Sequence, residues 1–288
     1  AKACGYPKTE NINVLEPKDS ASGSARKKGS FSLMSVKLKK RYGQHLLISS
    51  GILSKIAELA ELKEAEAVLE IGPGTGLLTK ELLKYPLRKL YLIELDTEMI
   101  EYLKENIKDE RVILVQADAV TFNYHALNEK ELKVLGNLPY NVASLIVENV
   151  IYHHSLVPTA LFLVQKEVAE KWLSGKSWLS LFIQTFYDLK YLMTIPPRFF
   201  KPPPRVNSAL LRFNLSQKAK IEDLPNYKRF LTHLYMGKRK MIRKKFSEEL
   251  LLKAGINEFL RPEDLSLSEV LRLYQVLGTL SPKTPSES

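Results

Sequence analysis

The amino-acid sequence predicts an α/β fold: a doubly wound, mostly parallel sheet followed by a small helical domain. Three observations lead to this prediction. Short apolar runs alternate with helical patterns from residue 50 to residue 164, a glycine-rich turn follows the first run, and the alternation stops after Trp178. A parallel sheet follows because each helix carries the chain back across the sheet before the next strand starts.

The elements of the sheet can be placed in chain order. The positions of Ile52, Leu53, Ile56 and Leu59 have helical spacing, which predicts a first helix from residue 50. Strands are then predicted at 67–71, 90–94, 112–116, 132–135 and 160–164, and helices at 76–84, 97–108 and 142–152.

The pattern changes after Trp178. A helix is predicted to about residue 187, followed by apolar runs at 189–195 and 206–215 that the proline-rich loop 196–204 joins. Two strands joined without a helix form an antiparallel pair, and prolines confine such a pair to a sheet edge. Beyond residue 216 the sequence predicts only helices, at 227–235, 240–253 and 266–277.

These elements define four segments of the chain. Residues 1–33 mix Ser, Gly, Lys and Pro without apolar periodicity, which predicts a disordered leader or a non-native tail. Residues 34–215 are predicted to form the α/β domain and residues 216–280 a helical domain that binds RNA. Residues 281–288 are predicted to be a second disordered tail.

The composition is typical of a globular protein with a polyanionic partner. Hydrophobic residues make up 45% of the 288 residues, enough for a sizeable core, and no apolar stretch approaches the roughly 20 residues that span a bilayer. Cys4 is the only cysteine, which excludes an internal disulfide framework and a zinc site built on cysteines. The net charge of +11 favours nucleic acid. We expect a soluble, cytoplasmic monomer that binds neither metal nor membrane.

A glycine-rich turn follows the first predicted strand, in the stretch Glu70-x-Gly72-x-Gly74-x-Gly76. Open α/β sheets bind ligands at such a turn. The dinucleotide pattern G-x-G-x-x-G, counted from Gly72, would need glycine where the chain has Leu77, so an NAD site is disfavoured. The observed spacing instead fits a backbone that passes close to the methionine portion of S-adenosyl-L-methionine.

Acidic residues follow the next two predicted strands. Glu94 stands at the end of the second strand, where an acid would accept hydrogen bonds from both ribose hydroxyls of a nucleotide. Asp118 follows the third strand, in a position to accept the adenine amine of the cofactor. With Glu70, three successive strand ends carry an acid, an arrangement that favours a ligand site over scattered helix caps.

The tetrapeptide Asn137-Leu138-Pro139-Tyr140 follows the apolar run at 132–135 and indicates chemistry on an adenine amine. The exocyclic N6 is a poor nucleophile because its lone pair is delocalised into the ring. An Asn side-chain oxygen and the next backbone carbonyl can accept both amine hydrogens, while an aromatic ring stacks against the flipped-out base. Asn137, Leu138 and Tyr140 are therefore predicted to be catalytic residues.

Together with Tyr42-Gly43-Gln44-His45-Leu46 and Phe200-Lys-Pro-Pro-Pro-Arg-Val-Asn-Ser208, these features resemble the small-subunit ribosomal RNA adenine dimethyltransferases of the KsgA type. The resemblance covers residues 37–277. It implies a Rossmann-like class I S-adenosylmethionine-dependent methyltransferase in which Phe200 closes the second face of the target adenine. The implied cofactor-binding residues are Gln44, His45, Leu46, Glu70, Gly72, Gly74, Glu94, Leu95, Asp118, Ala119 and Asn137.

The resemblance also implies a substrate and a partner. In this family two adjacent adenosines in a hairpin loop near the 3′ end of small-subunit rRNA are dimethylated at N6 during ribosome biogenesis, so we expect small-subunit rRNA or a 30S assembly intermediate as partner. Two basic runs flank the cofactor domain and are predicted to bind RNA phosphates. They consist of Lys39, Lys40 and Arg41, and of Lys238, Arg239, Lys240, Arg243, Lys244 and Lys245.

Two other functions remain open at this point. An Erm-type methyltransferase acting on large-subunit rRNA shares the fold and most of the motifs. An RNA-binding assembly or transcription factor could keep the fold without the activity. The basic run in the helical domain favours the small-subunit enzyme over the first alternative, and the intact Asn137-Leu138-Pro139-Tyr140 stretch argues against the second.

Overall fold

The computed structural model describes residues 13–15, 45–237 and 239–280, and the chain divides into two compact units. We call Tyr6–Lys166 with Tyr191–Arg212 the sheet unit. The helical unit contains Glu167–Lys190 and the chain from Phe213 onward. The sequence pattern alone assigns Glu167–Lys190 to the α/β domain, whereas its packing joins it to the helical unit.

The α/β prediction is confirmed. In the described residues the strands are β1 (Asn13–Leu15), β2 (Leu46–Leu47), β3 (Ala67–Ile71), β4 (Lys89–Glu94), β5 (Val112–Gln116), β6 (Lys133–Asn137), β7 (Thr159–Gln165), β8 (Tyr187–Ile195), β9 (Phe200–Lys201) and β10 (Ser208–Leu215). The α-helices are α1 (Ser50–Leu59), α2 (Leu77–Leu82), α3 (Thr97–Asn106), α4 (Ala143–Tyr152), α5 (Lys166–Leu173), α6 (Trp178–Phe186), α7 (Leu224–Tyr235), α8 (Glu248–Lys253) and α9 (Leu267–Leu280).

Eight strands form one sheet in the order β1-β5-β4-β3-β6-β7-β10-β8. The five strands β3 to β7 pair in parallel. The order runs outward from β3 in one direction and restarts at β6 in the other, so the chain reverses its winding between these two strands. Such a switch point opens a crevice at the carboxyl ends of the strands, where open α/β sheets bind ligands.

The parallel strands are apolar because helices cover both faces of the sheet. The side chains of Val68, Leu69, Leu92 and Leu135 are fully buried. Glycine at position 136 lets β6 lie against β3, since a Cβ there would stand 2.9 Å from the Ile71 carbonyl oxygen. The carboxyl ends of β3 and β6 are thereby held side by side at the switch point.

The helical unit is held together by an aromatic cluster. Tyr227 of α7 packs against Phe182 of α6 and Tyr274 of α9, with ring centroids 6.1 and 4.8 Å away. Its hydroxyl is hydrogen bonded to the Thr185 hydroxyl at 2.9 Å, which satisfies a polar group that is otherwise buried. Trp172 of α5 adds a further fully buried ring.

The predicted helix at 240–253 is wrong in its first half. The backbone N–H groups of Ile242 and Arg243 donate to the carbonyls of Leu260 and Glu258, at 2.8 and 3.2 Å, rather than to the preceding turn of a helix. Ile242–Lys244 forms a single 3-10 turn. The α-helix starts only after Ser247, whose hydroxyl accepts from the Leu250 N–H and so caps a new helix.

Two further elements differ from the sequence prediction. Helix α5 directly follows β7 and is not predicted, although Val168, Ala169 and Trp172 have helical spacing. Strand β1 pairs antiparallel with β5, with Asn13 opposite Gln116, although the sequence predicts no regular structure before residue 34. Without β1 the strand β5 would be the edge of the sheet, and an extended segment can pair with the free backbone groups of an edge strand. No helix in the described residues is long and apolar enough to cross a membrane.

Candidate functional site

A cavity of about 330 Å³ opens at the switch point of the sheet unit. Glu94, the last residue of β4, and Asp118, two residues after β5, both line it. Asp96 and Asn141 also line it, and the rest of its wall consists of apolar side chains and the predicted cofactor residues Gly72, Leu95 and Ala119. A slot with apolar walls and acids at one side suits a nucleoside, whose base is flat and apolar on both faces and whose hydroxyls need acceptors.

The glycine turn passes close to its neighbours. Gly72, Gly74 and Gly76 have φ of +65°, +53° and +74°, a region that other residues rarely adopt. A Cβ on Gly74 would stand 2.7 Å from the Leu46 Cδ2 atom, and one on Gly72 would stand 3.9 Å from the Asn137 carbonyl oxygen. The positive φ at both positions is therefore the geometric reason for glycine, and at Gly74 a side chain would also displace the end of Leu46.

Glu94 is held by the backbone that follows it. Its Oε1 accepts from the N–H of Leu95 at 2.8 Å and from the N–H of Asp96 at 3.0 Å. Burial raises the pKa of the Glu94 carboxyl, and the backbone N–H groups of Asp96, Leu95 and Gly74 oppose that rise. The fixed carboxyl lies where its remaining acceptor capacity can meet the hydroxyls of a ribose.

Asp118 begins a loop that a buried asparagine stabilises. Its Oδ1 accepts from the Val120 N–H at 2.9 Å. Asn149 of α4 donates from Nδ2 to the carbonyls of Ala119 and Phe122, at 3.0 and 2.9 Å. Sequence reasoning missed Asn149, although a polar residue on the buried face of an otherwise apolar helix is a signal that could have found it.

Glu70 is buried beneath the glycine turn. Thr79 in α2 donates its hydroxyl to Glu70 Oε2 at 2.6 Å. Burial raises the pKa of the Glu70 carboxyl to about 7, a rise that the Thr79 hydrogen bond reduces and the Glu94 charge increases. The carboxyl lines a small cavity of about 40 Å³ together with Leu46, Gly72 and Asn137. Glu70 thus lies under the predicted methionine end of the cofactor site.

Asn137 ends β6 with its amide in a defined orientation. Its Nδ2 donates to the His45 carbonyl at 2.8 Å, which leaves Oδ1 to accept a hydrogen bond from a ligand. The Leu138 N–H donates to the Leu163 carbonyl at 3.0 Å, so the first residue after the strand is still tied to β7. Both residues line a second, narrower pocket of about 60 Å³.

This narrow pocket joins the two halves of the predicted site. It shares Gly72, Glu94 and Pro139 with the large cavity. Its remaining lining consists of the predicted site residues His45, Leu46, Gly74, Asn137, Leu138 and Tyr140. A nucleoside in the large cavity would therefore end next to the Asn137 amide.

Tyr140 is fixed at both its ring and its hydroxyl. The hydroxyl is hydrogen bonded to Ser208 Oγ at 2.7 Å, and the His45 ring lies 5.3 Å away between centroids, tilted by 33°. Burial raises the pKa of the Tyr140 hydroxyl, against the effect of the Ser208 hydrogen bond. His45 Nδ1 is in turn 2.8 Å from the Pro202 carbonyl oxygen.

Phe200 is not brought to the narrow pocket. It pairs with Leu47 across the two-stranded sheet β2-β9, and both side chains are buried in the core. Only 3% of Phe200 is exposed, because the strand turns alternate side chains to opposite faces. Its contact with the target base stays a prediction that this arrangement does not support.

The predicted RNA-binding residues of the helical unit have different environments. Arg239, Lys240, Arg243 and Lys244 are exposed, and the Arg243 guanidinium lies 4.7 Å from the centroid of the Phe259 ring. Lys245 instead donates from Nζ to the carbonyls of His233 and Leu234, both at 2.7 Å, and to that of Met236. It caps the carboxyl end of α7, where a cation satisfies free carbonyls and the helix dipole.

Burial lowers the pKa of the Lys245 ammonium, and its hydrogen bonds are made within the helical unit, so its contact with RNA stays a prediction that this arrangement does not support. Five other predicted site residues lie outside the described residues. They are Lys39, Lys40, Arg41, Gln44 and Lys238.

A family model described as "Ribosomal RNA adenine dimethylase" matches residues 35–278. Two relatives carry the name "Ribosomal RNA small subunit methyltransferase A". The protein of Sulfurihydrogenibium sp. (strain YO3AOP1) is 41% identical over 84% of this chain and 97% of its own length. That of Persephonella marina (strain DSM 14350 / EX-H1) is 40% identical over 82% of this chain and 92% of its own.

Solved structures extend the similarity to the fold. The 23S rRNA methyltransferase ErmE has a TM-score of 0.62 at 26% identity, covering 81% of this chain and 99% of its own. A dimethyladenosine transferase from Plasmodium falciparum has a TM-score of 0.73 at 23% identity, covering 82% and 98%. Because the family model spans most of the residues and the relatives match over nearly their whole length, this chain belongs to the ribosomal RNA adenine dimethylase family.

Proposed function

We propose that this protein transfers methyl groups from S-adenosyl-L-methionine to N6 of two adjacent adenosines in a hairpin loop near the 3′ end of small-subunit rRNA, giving N6,N6-dimethyladenosine during ribosome biogenesis. The orientation of the Asn137 amide carries the proposal. With Nδ2 bound to the His45 carbonyl, Oδ1 is the atom left to accept an amine hydrogen. Asn137 lines the narrow pocket, which shares Gly72, Glu94 and Pro139 with the nucleoside-sized cavity.

The large cavity fits the cofactor by its chemistry. Its volume of about 330 Å³ is within the range of small-molecule sites. Glu94 would accept hydrogen bonds from the ribose hydroxyls and Asp118 one from the adenine amine, while the glycines of the turn leave its backbone open to the cofactor. S-adenosyl-L-methionine, when bound, supplies a methyl group on a positively charged sulfonium that is already activated for transfer.

The protein's part in the chemistry is to position the amine. Asn137 Oδ1 and the Leu138 carbonyl would accept the two N6 hydrogens and draw the nitrogen towards tetrahedral geometry. Holding N6 in line with the methyl carbon at near-attack distance then provides most of the rate enhancement. The proton leaves to solvent as positive charge develops, so no side-chain base is required.

The small-subunit substrate is favoured over the large-subunit one. The relatives named for the small subunit share 41% and 40% identity with this chain, against 26% for ErmE. The exposed cations Arg239, Lys240, Arg243 and Lys244 of the helical unit supply a surface for rRNA phosphates. We further propose that the substrate is a 30S assembly intermediate and that the protein acts as a monomer.

Methyl incorporation from labelled cofactor tests the proposal. The protein is incubated with small-subunit particles that lack the modification, with large-subunit RNA, or without RNA, and the methylated nucleotides are mapped. We expect incorporation only into the particles, at two adjacent adenosines. Incorporation into large-subunit RNA would support the Erm-type alternative, and tight binding to particles without incorporation would support a non-catalytic assembly factor.

A further inference from the structure

The chain from residue 196 to residue 208, which we call the mouth loop, is strongly basic. It carries Arg198, Lys201 and Arg205, all exposed, and contains no acid. None of the three belongs to the two basic runs that the sequence singles out. The Arg198 guanidinium lies 4.8 Å from the centroid of the Phe199 ring, which leaves Lys201 and Arg205 as the cations whose position decides what the loop can bind.

Two hydrogen bonds attach the mouth loop to the narrow pocket. The Pro202 carbonyl lies 2.8 Å from His45 Nδ1, and Ser208 Oγ lies 2.7 Å from the Tyr140 hydroxyl. Both His45 and Tyr140 line that pocket. The segment between the two attachments, with Arg205 near its middle, therefore crosses beside the opening of the pocket.

The strand register determines the side on which Lys201 lies. In the β2-β9 pair Leu46 stands opposite Lys201, and Leu47 stands opposite Phe200. Directly opposed side chains share a face, and neighbouring residues face opposite ways. Leu47 and Phe200 are buried in the core, whereas Leu46 lines the narrow pocket. Lys201 consequently stands on the same face as the pocket and extends into solvent at its edge.

We propose that Lys201 and Arg205 bind the phosphodiester groups on either side of the flipped-out adenosine, which makes the mouth loop a phosphate-binding site. The inference rests on the proposed function, since it takes RNA as the substrate. A base leaves its stack and enters a pocket only if its nucleotide rotates about the backbone. Binding both neighbouring phosphates holds the nucleotide in that rotated state. Lysine and arginine supply the charge, and the hydrogen bonds of His45 and Tyr140 supply the rigidity.

A double variant with a matched control tests the site. Lys201→Gln/Arg205→Gln removes two exposed cations from the mouth loop. Lys63→Gln/Lys130→Gln removes two exposed lysines that precede the amino ends of β3 and β6, at the opposite end of the sheet. KM and kcat are measured on unmethylated small-subunit particles over a range of salt concentrations, with cofactor affinity measured in parallel.

We expect the mouth-loop variant to raise KM about tenfold and to lower the slope of log(kcat/KM) against log[salt] by roughly 0.7 to 0.9 for each phosphate that is no longer bound. Its kcat and cofactor affinity should stay within about twofold of wild type, because neither residue touches the reacting atoms. The control should keep the wild-type slope. An equal slope in wild type and mouth-loop variant would overturn the proposal.

A second measurement separates this inference from the proposed function. A hairpin RNA with two adjacent loop adenosines, and the same hairpin with abasic residues at those positions, are titrated with wild type and with the mouth-loop variant. We expect the variant to bind both RNAs more weakly than wild type, by the same factor for each, since the phosphates remain when the bases are removed. This result would support the phosphate site even if methylation were absent, whereas a loss confined to the adenosine hairpin would assign the loop to base recognition and reject it.

Discussion

Asn137 lies at the centre of the site because a single side chain joins two segments and still keeps an acceptor. Its amide nitrogen is bound to the His45 carbonyl, so the backbone of the chain before α1 fixes the direction of the amide oxygen. A preorganised acceptor of this kind is most effective when charge develops on the bound nitrogen. Removal of the side chain is therefore the most direct test at the residue scale.

Asn137→Ala should lower kcat for methyl transfer by on the order of 10²-fold or more, since the substitution removes a preorganised hydrogen-bond acceptor. Cofactor affinity, measured by calorimetry, should remain close to that of wild type. Asn106→Ala, which removes an exposed asparagine at the end of α3, is the matched control. Near-normal turnover in Asn137→Ala would remove Asn137 from the mechanism.

The raised pKa of Glu70 leads us to expect an unusual pH dependence of the free energy of unfolding. Its pKa is raised from 4.5 to about 7 by burial in the folded protein, so the native state holds a proton that the unfolded chain releases above pH 4.5. Stability should therefore fall as pH rises through the window from about 4.5 to 7. Glu70→Gln keeps an acceptor for Thr79 and abolishes that titration.

The free energy of unfolding of the cofactor-free protein, measured as a function of pH, tests this expectation. The stability of Glu70→Gln relative to wild type should rise between about pH 4.5 and pH 7, by about 3–4 kcal/mol in all, because the two pKa values differ by about 2.5 units and each unit corresponds to about 1.4 kcal/mol. Glu105→Gln removes an exposed acid of α3 for comparison. Parallel stability curves for wild type and Glu70→Gln would contradict the assignment.

At the scale of elements, the distance between β3 and β6 decides whether the site exists. Gly136 is the residue that permits it, since an added Cβ would stand 2.9 Å from both the Ile71 carbonyl oxygen and Leu138 Cδ2. The strand would have to move, and with it Asn137 and the Leu138 carbonyl.

Gly136→Ala should destabilise the protein by about 1–3 kcal/mol, a typical cost of overpacking, and should weaken cofactor binding. Gly51→Ala in α1 is the matched control, because a Cβ there meets nothing within 4 Å. That control should be neutral or stabilise by up to about 1 kcal/mol, since alanine is the better helix former. Chemical denaturation measures both, and equal stabilities would show that β6 adjusts without cost.

The sequence predicts these elements well where the chain is periodic and poorly where tertiary bonds decide. The bounds of β3 and β5 agree with the prediction because buried parallel strands are uninterrupted apolar runs. The predicted helix at 240–253 fails because Ser247 caps a new helix and the carbonyls of Glu258 and Leu260 bind the preceding residues. Charge and apolar spacing there resemble a helix, but they carry no information on those partners.

For the whole molecule, the net charge of +11 predicts strong electrostatic binding to RNA, and the structure divides that charge by role. Exchanging Arg239, Lys240, Arg243 and Lys244 for glutamine should flatten the dependence of RNA affinity on salt by roughly 0.9 for each phosphate that these cations neutralise. Lys245→Gln should keep the wild-type slope and instead lower the melting temperature, because Lys245 caps α7.

Salt titrations of RNA binding and thermal unfolding of the same variants distinguish these outcomes. A flattened slope in Lys245→Gln without a change in melting temperature would return that lysine to the RNA surface. If the fourfold variant kept the wild-type dependence of RNA affinity on salt, its four cations would be solvent-exposed charges that do not bind RNA.

Across the molecule, the ends of parallel strands are the part of the site that sequence can predict. Glu70, Glu94 and Asn137 lie at the carboxyl ends of neighbouring parallel strands, so their proximity follows from the fold class. The bonds between His45 and Pro202 and between Tyr140 and Ser208 join residues 157 and 68 positions apart through two-residue strands and a proline loop. No periodic pattern marks such pairings. The family resemblance alone assigns Phe200 to the target base, and nothing in the sequence marks its burial opposite Leu47.

The orientation of the Asn137 amide also has a consequence for product release. Asn137 Oδ1 and the Leu138 carbonyl can only accept hydrogen bonds, and the finished N6,N6-dimethyladenine has no N6 hydrogen to donate. If these two atoms hold N6 as proposed, both would stay unsatisfied around the dimethylated base in the narrow pocket of about 60 Å³, at a cost of about 1–3 kcal/mol for each. On the proposed roles, the two oxygens that accept the amine hydrogens would therefore favour release of the dimethylated base, which has no such hydrogen to offer.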